Sequence, residues 1–384
     1  MKTIIKYILI SRIFLIIMAM SSLLLIPMIK NKTHSGDSSP RTINQGDHIY
    51  IYTEPKPMYQ SMWSVWDSKW YISIAEDGYS NQKYPYRTTD NKGFMPLYPI
   101  LIWLFSTFIL LGNSHLAGFL ISNIFLILSF YFLKKFVESE ERLKDKVNIE
   151  NTYLYLLFFP TSYFLSSIYP ESLFLFLSIL TFYLINKNKI IWACIVIGLA
   201  FITKVFGIFL LIPLGFYIFK NKKIIPLKKL ISYILTLSVI PLSYLFYMFK
   251  VSNDALAYLH IQEAFFRHNW VNPLQTIFID IFCNTSSQTL LHGLITIFAL
   301  VVIVLGHKII KLEYLLYSLC YILFTPLTGM VNGNARYIAS LFFIPIILSV
   351  IIKSENIKLI YVYIISFIQG FIFIWWLIGS GFTS

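Results

Sequence analysis

Apolar runs of bilayer-crossing length alternate with short polar stretches along most of the chain. A membrane helix needs roughly 20 apolar residues, with a range of about 17–25. The first run, Ile13 to Met28, follows Lys2, Lys6 and Arg12. It continues as Pro27-Met28-Ile29-Lys30, without a small-residue cleavage site. This predicts an uncleaved first helix with its N-terminus in the cytoplasm. Ten more spans are expected near 115–133, 152–167, 171–186, 190–204, 205–219, 231–250, 290–306, 312–328, 337–352 and 359–379. Several are short, so some helices are expected to end in protein-lined cavities.

The run 94–111 is the ambiguous one. It opens with Phe94-Met95-Pro96-Leu97-Tyr98-Pro99, and two prolines in four residues suit a helix start or a bend. Loop charge decides its placement. If 94–111 does not span, the basic stretches 134–146, 187–189, 220–229, 307–311 and 353–358 share a side with the N-terminus. That side then holds 19 of the 31 Lys and Arg and 7 of the 18 acids, net +12, against net +1 on the other side. Such an asymmetry is the positive-inside pattern, so 94–111 reads as interfacial or re-entrant. About eleven spans result. The long segments 30–93 and 251–289 face outward, with a helix near 63–76 in the first.

Composition agrees with this pattern. Apolar residues make up 57% of the 384 and charged residues 13%, against about 45–50% and 25% in soluble domains. Too little polar surface remains to wrap a soluble globule. The expectation is an all-α, polytopic helical bundle, a single integral-membrane domain over 1–384. The net charge of +13 punctuates apolar segments rather than forming a patch, which excludes nucleic acid as a partner. Cys194, Cys283 and Cys320 are odd in number and lack metal-ligand spacing.

Candidate chemistry collects on the outward pieces. In Trp63-Ser64-Val65-Trp66-Asp67-Ser68-Lys69-Trp70, helical spacing puts Trp63, Trp66, Trp70 and Ile74 on one face, suited to the headgroup zone, with Asp67 beside it. A solvated interfacial helix with an incidental Asp would look the same. In Tyr169-Pro170-Glu171-Ser172, Glu171 sits at a helix N-terminus, where it complements the dipole or lines a cavity mouth. Lys204 interrupts an apolar stretch, at a cost of about 2.5–3.5 kcal/mol unless it snorkels or finds an anion. Gln262 and Arg267 lie in the polar, aromatic stretch His260 to Trp270. Arg336, at the start of a late helix, carries a fork suited to phosphate. Two carboxylates and three cations on one side of one bundle suit removal of a hydroxyl proton next to a phosphate leaving group.

These blocks, in this order, resemble the phosphatidylinositol-glycan class V type of mannosyltransferase and its bacterial relatives, within the GT-C superfamily of integral-membrane glycosyltransferases. The matching pieces are Trp66-Asp67 through Gly78-Tyr79, Phe94 through Pro99 with Tyr98, Tyr169 through Ser172, Gln262 through Arg267, and Arg336-Tyr337, over about 60–350. The Leu-Ala-Phe-Ile-Thr-Lys block ending at Lys204 is similar to one in lipid-to-lipid sugar transferases. The resemblance implies a polyprenyl- or dolichyl-phosphate monosaccharide donor, usually mannose, inversion at the anomeric carbon, and Asp67 as general base. It implies Lys204, Arg267, Arg336, Glu171, Gln262, Tyr169, Trp66 and Tyr98 around the donor, and a lipid or glycan acceptor. Relatives commonly carry Arg at the Lys204 position and Trp where Phe265-Phe266 stands. Abundant Ile, Lys, Asn and Phe point to an AT-rich genome and a bacterial plasma membrane, with the endoplasmic reticulum as the eukaryotic counterpart.

A flippase of lipid-linked sugars is the competing class. It needs phosphate-binding cations but no outer carboxylate base, and it calls for charges through the middle of the spans. Here the span centres are almost free of charge. A non-catalytic membrane subunit would make Asp67 dispensable. No obligatory metal is expected; Asp67, Glu76, Asp77 and Glu171 leave room for a divalent cation.

Overall fold

Inside a bilayer every backbone N–H and C=O must be satisfied within its own segment or by buried protein groups, and unbroken apolar runs therefore fold as helices. The computed structural model describes residues 2–33, 62–80, 90–266, 270–284 and 286–377; its described residues form helices and turns without strands. The N-terminal half contains α1 (Lys2–Thr33), α2 (Ser68–Asp77), α3 (Leu97–Phe108), α4 (Ser114–Ser139), α5 (Ile149–Leu157), α6 (Glu171–Asn186), α7 (Ile190–Phe201) and α8 (Leu211–Lys220). The C-terminal half contains α9 (Leu227–Ser252), α10 (Ala257–Phe266), α11 (Pro273–Phe282), α12 (Ser287–Leu305), α13 (Leu312–Leu327), α14 (Asn334–Ile338), α15 (Phe343–Ile351) and α16 (Glu355–Leu377).

Among the described residues, five helical stretches are long and apolar enough to cross a membrane: Thr3–Ser21, Ser114–Ser139, Leu227–Ser252, Ser287–Lys308 and Glu355–Leu377. The chain is a multi-pass membrane protein. Four more expected spans are shorter apolar helices, Glu171–Asn186, Ile190–Phe201, Val205–Lys220 and Leu312–Leu327, and α3 has only 12 residues. At about 1.5 Å per residue α3, like the 12-residue α7, covers about 18 Å.

Two expected spans are broken. The stretch 152–167 ends as a helix at Leu157, ahead of Pro160, and resumes as a 3-10 turn at Ser162–Leu165. Proline cannot continue the ladder, and the freed carbonyls are buried. Gln369, on α16, donates to Leu157 O at 3.0 Å, Phe159 O at 3.1 Å and Ser162 Oγ at 2.6 Å. The stretch 337–352 likewise splits into α14 and α15. In both places irregular backbone survives at depth because side chains replace the missing helical bonds.

The first-loop helix also differs from expectation. It begins at Ser68, so Trp63 and Trp66 precede it and share no helical face with Trp70. Trp66 adopts φ +60, a left-handed conformation that costs a bulky residue about 1–3 kcal/mol. Its Nε1–H donates to Trp376 O at 3.2 Å.

The helix ends define two faces. At one end of α6, Glu140 accepts from Tyr314 Oη at 2.6 Å and pairs with Lys311 at 2.8 Å, and Asn186 Nδ2 donates to it at 3.2 Å. Lys220 pairs with Glu313 nearby at 2.8 Å. Residues of the stretches 134–146, 220–229 and 307–311 thus lie together there. The other end of α6 starts at Glu171.

Candidate active site

Glu171 opens α6 behind Pro170, and its side chain is fully buried. Lys204 lies past the end of α7, at a corner where the chain folds back into a 3-10 turn, Val205–Leu210. Gly207 makes that corner: a Cβ there would stand 2.4 Å from Phe201 N, so no other residue fits without moving backbone. The corner delivers the Lys204 ammonium to Glu171 Oε1 at 2.9 Å and over the Tyr337 ring, 4.3 Å from its centroid. The expected burial of Lys204 is thus met by a carboxylate rather than by snorkelling. Burial lowers the Lys204 pKa to about 8, Arg336 adding to the effect and Glu171 opposing it.

Arg336 joins this pair to Asp67. Its Nη1 donates to Asp67 Oδ2 at 2.7 Å and its Nη2 to Tyr337 Oη at 3.1 Å, while Nε lies 3.3 Å from Glu171 Oε1 without hydrogen-bond geometry. The guanidinium is packed among the rings of Phe164, Tyr169 and Tyr337, 4.9–5.7 Å from their centroids. Cation–π attraction holds its plane while the fork meets the carboxylates.

Asp67 sits where an N-cap would be, yet its side chain makes no capping bond. The carboxylate is turned to Arg336 instead and remains 36% exposed. Tyr169 supports the residue from below. Its Oη donates to Val65 O at 2.8 Å and accepts the Asp67 main-chain N–H at 3.0 Å. Tyr169 therefore positions Asp67 through the backbone, leaving both carboxylate oxygens to other partners.

Asp67, Glu171, Lys204 and Arg336 form one cluster, with two negative and two positive charges. Glu171 Oε2 is buried without a hydrogen bond among the described residues. An arriving anion therefore meets cations already committed to carboxylates and must compete for them.

Other expected site residues stand apart. Tyr98 is fully buried and hydrogen-bonds to Gly118 O at 2.9 Å and Ser122 Oγ at 2.7 Å, bracing α3 on α4. Its ring meets that of Tyr71 edge-to-face at 5.6 Å, and Ser122 links its hydroxyl to Tyr169 O at 3.3 Å. Gln262 Nε2 donates to Gly93 O at 3.1 Å and so clamps α10 on the turn Asn91–Gly93. Trp66 is the hinge before Asp67. Arg267 lies outside the described residues. Among the described residues, no group of three or more His, Cys, Asp or Glu could hold a metal ion. All three cysteines are free thiols.

Three supports escaped the sequence reading. Tyr71 packs between Tyr98 and Tyr169. Lys92, completely buried, pairs with Asp90 at 2.7 Å and donates to Ser80 O at 2.9 Å, fixing the chain just past α2. A Lys two residues from an Asp in a polar loop carries no signal of burial. Thr161 reaches from the broken stretch to Ala335 O at 2.6 Å, beside Arg336.

An apolar groove of about 600 Å³ opens between the end of α2, α3 and α9. Tyr79, Pro96, Trp103, Tyr244 and Tyr247 line it, with Ile202, two residues before Lys204.

The profile of a family described as Mannosyltransferase (PIG-V) matches residues 1–232. No curated protein and no solved structure matches the chain. The matched stretch carries Asp67, Tyr169, Glu171 and Lys204; Arg336, which ties three of the four charges together, lies beyond it.

Proposed function

The chain belongs to the PIG-V mannosyltransferase family, and on that premise we propose that it transfers mannose from a polyprenyl-phosphate donor to a hydroxyl of an extracytoplasmic acceptor, with inversion. Asp67 accepts the acceptor's proton as its oxygen bonds to the anomeric carbon. The bond from that carbon to the phosphate oxygen breaks, and polyprenyl phosphate leaves with the electron pair. Lys204 and Arg336 neutralise the charge that grows on the departing phosphate. Glu171 holds these two cations in place until donor arrives.

One observation carries the reading: a partly exposed carboxylate, Asp67, shares its arginine with a fully buried Glu171–Lys204 pair. A base and a phosphate site are thereby adjacent. The groove beside Ile202 supports a lipid-borne donor, since an isoprenoid chain lying there would start close to Lys204. The charge asymmetry of the loops supports an extracytoplasmic site and about eleven spans; the abundance of Ile, Lys, Asn and Phe supports a bacterial plasma membrane.

The test uses purified protein in detergent with radiolabelled polyprenyl-phosphate-mannose, a parallel polyprenyl-phosphate-glucose sample, and membrane extract as acceptor source. Label should move from the mannose donor into a new product with wild type and not with Asp67→Asn. No movement from either donor, with lipid binding intact, would favour a flippase or another donor sugar.

A further inference from the structure

We propose that His292, on α12, is a positioning residue for Arg336, acting through the main chain of Ala335, and that this hold sets affinity for the donor phosphate. The second half of the proposal rests on the donor reading above; the first does not.

Arg336 cannot be placed by its own helix. α14 has five residues, little more than one turn, and enters from Gly333 in the left-handed region, φ +78. A single turn gains too few internal bonds to offset the ordering of its backbone. Its first amides have no partner within the helix. Ala335 is fully buried, so its N–H must find an acceptor elsewhere.

The acceptor is His292 Nδ1, 3.2 Å away on a side chain that is itself fully buried. Thr296, one turn further along the same face of α12, continues the hold. It accepts from Asn334 Nδ2 at 2.8 Å and donates to His292 O at 2.7 Å. Asn334 also donates to Ile322 O at 3.1 Å. The segment is fixed from the opposite side by Thr161 to Ala335 O at 2.6 Å, and by Tyr321 Oη to Tyr337 O at 3.1 Å. Arg336 is thus hung between α12, α13 and the 3-10 turn at Ser162–Leu165.

An imidazole nitrogen that accepts an N–H must carry its lone pair, so the proton sits on Nε2. Nε2 is buried without a hydrogen bond among the described residues. Only Nδ1 does the holding. This separates two conservative substitutions: an Asn side chain offers an oxygen at the place of Nδ1, whereas a Gln side chain offers its amide at the place of Nε2. A residue that merely filled space would not distinguish them.

The experiment compares wild type with His292→Asn, His292→Gln and His292→Leu in detergent. Hydrogen–deuterium exchange of the segment 330–340 reads the hold on Ala335. Binding of a short-chain polyprenyl phosphate reads its consequence. Exchange of the segment should stay slow in His292→Asn and rise at least tenfold in His292→Gln and His292→Leu. The Kd for polyprenyl phosphate should stay within threefold of wild type in His292→Asn and weaken about tenfold in the other two. In an Arg336→Gln background the His292 substitutions should add nothing to the loss. Unchanged exchange in His292→Gln, or no rescue by Asn, overturns the positioning role. Altered exchange with unchanged Kd overturns the link to the phosphate. A wild-type protein that fails to bind the lipid phosphate overturns the donor reading and the second half of the proposal with it, while the exchange data still decide the first.

Discussion

Replacing Asp67 by Asn separates chemistry from structure because this side chain contributes little to folding. Its carboxylate is over one-third exposed, its one hydrogen bond to a side chain among the described residues is to Arg336 Nη1 at 2.7 Å, and its tie to Tyr169 runs through the main-chain N–H. Asn keeps that N–H and still presents an oxygen to Arg336. The exchange therefore converts an ion-paired hydrogen bond into one from the same cation to a neutral amide oxygen, a loss of about 1 kcal/mol. Removing a general base costs about 10²–10⁴ in rate, or about 3–5.5 kcal/mol at 1.36 kcal/mol per tenfold. Loss of the Asp67 charge also frees Arg336 from one competitor for phosphate. Single-turnover transfer from polyprenyl-phosphate-mannose should thus slow by at least a hundredfold, while the donor binds as tightly as before or tighter and the thermal midpoint in detergent moves by a few degrees at most. Transfer within tenfold of wild type would remove Asp67 as the base. A parallel loss of donor binding would recast it as a binding residue.

Four further outcomes are expected. Burial lowers the Lys204 pKa to about 8, so its charge is present below that pH and lost above it; the donor KM should climb between pH 7.5 and 9.5, and Lys204→Arg should abolish the climb. Gln369→Leu strips three hydrogen bonds from the chain around Pro160, but Ser162 Oγ still donates to Leu157 O and Ser162 N to Phe159 O; at about 0.5–1.5 kcal/mol net per bond, thermal denaturation should show about 1.5–4 kcal/mol of lost stability. Gly207→Ala drives a Cβ into the backbone of Phe201 and should lower both the thermal midpoint and transfer, beyond the about 1–3 kcal/mol of ordinary overpacking. With Lys204 and Arg336 carrying the phosphate charge, transfer should persist in excess EDTA, and a loss restored by Mg²⁺ or Mn²⁺ would refute that assignment.

The cluster was legible where charge was expensive. Asp67, Glu171, Lys204 and Arg336 each stand at the edge of an apolar run, and such residues need partners whatever the fold. That they partner one another required coordinates, since Arg336 is 269 residues from Asp67. Tyr98 and Gln262 sit in the same sequence blocks but spend their polar groups on neighbouring backbone. Block membership did not reveal which way a side chain pointed. The helix supposed over 63–76 failed at its first turn because Trp66 adopts a left-handed conformation, which helical spacing cannot register. The break after Leu157 was hidden for a different reason. The stretch 152–167 is apolar enough for a span, and the group that compensates its proline, Gln369, lies more than 200 residues further on.

The ion pairs also have a history in time. Glu171 and Lys204 are 33 residues apart, carried by the consecutive helices α6 and α7 and the corner beyond. A chain entering the bilayer from its N-terminus can cancel these two charges within one hairpin, long before the rest has been made. Asp67 must wait for Arg336, made 269 residues later. The buried half of the site can therefore form early, while the half that holds the proposed base closes last. A nascent chain would thus carry no complete site until Arg336 and the helices that hold it have been threaded into place.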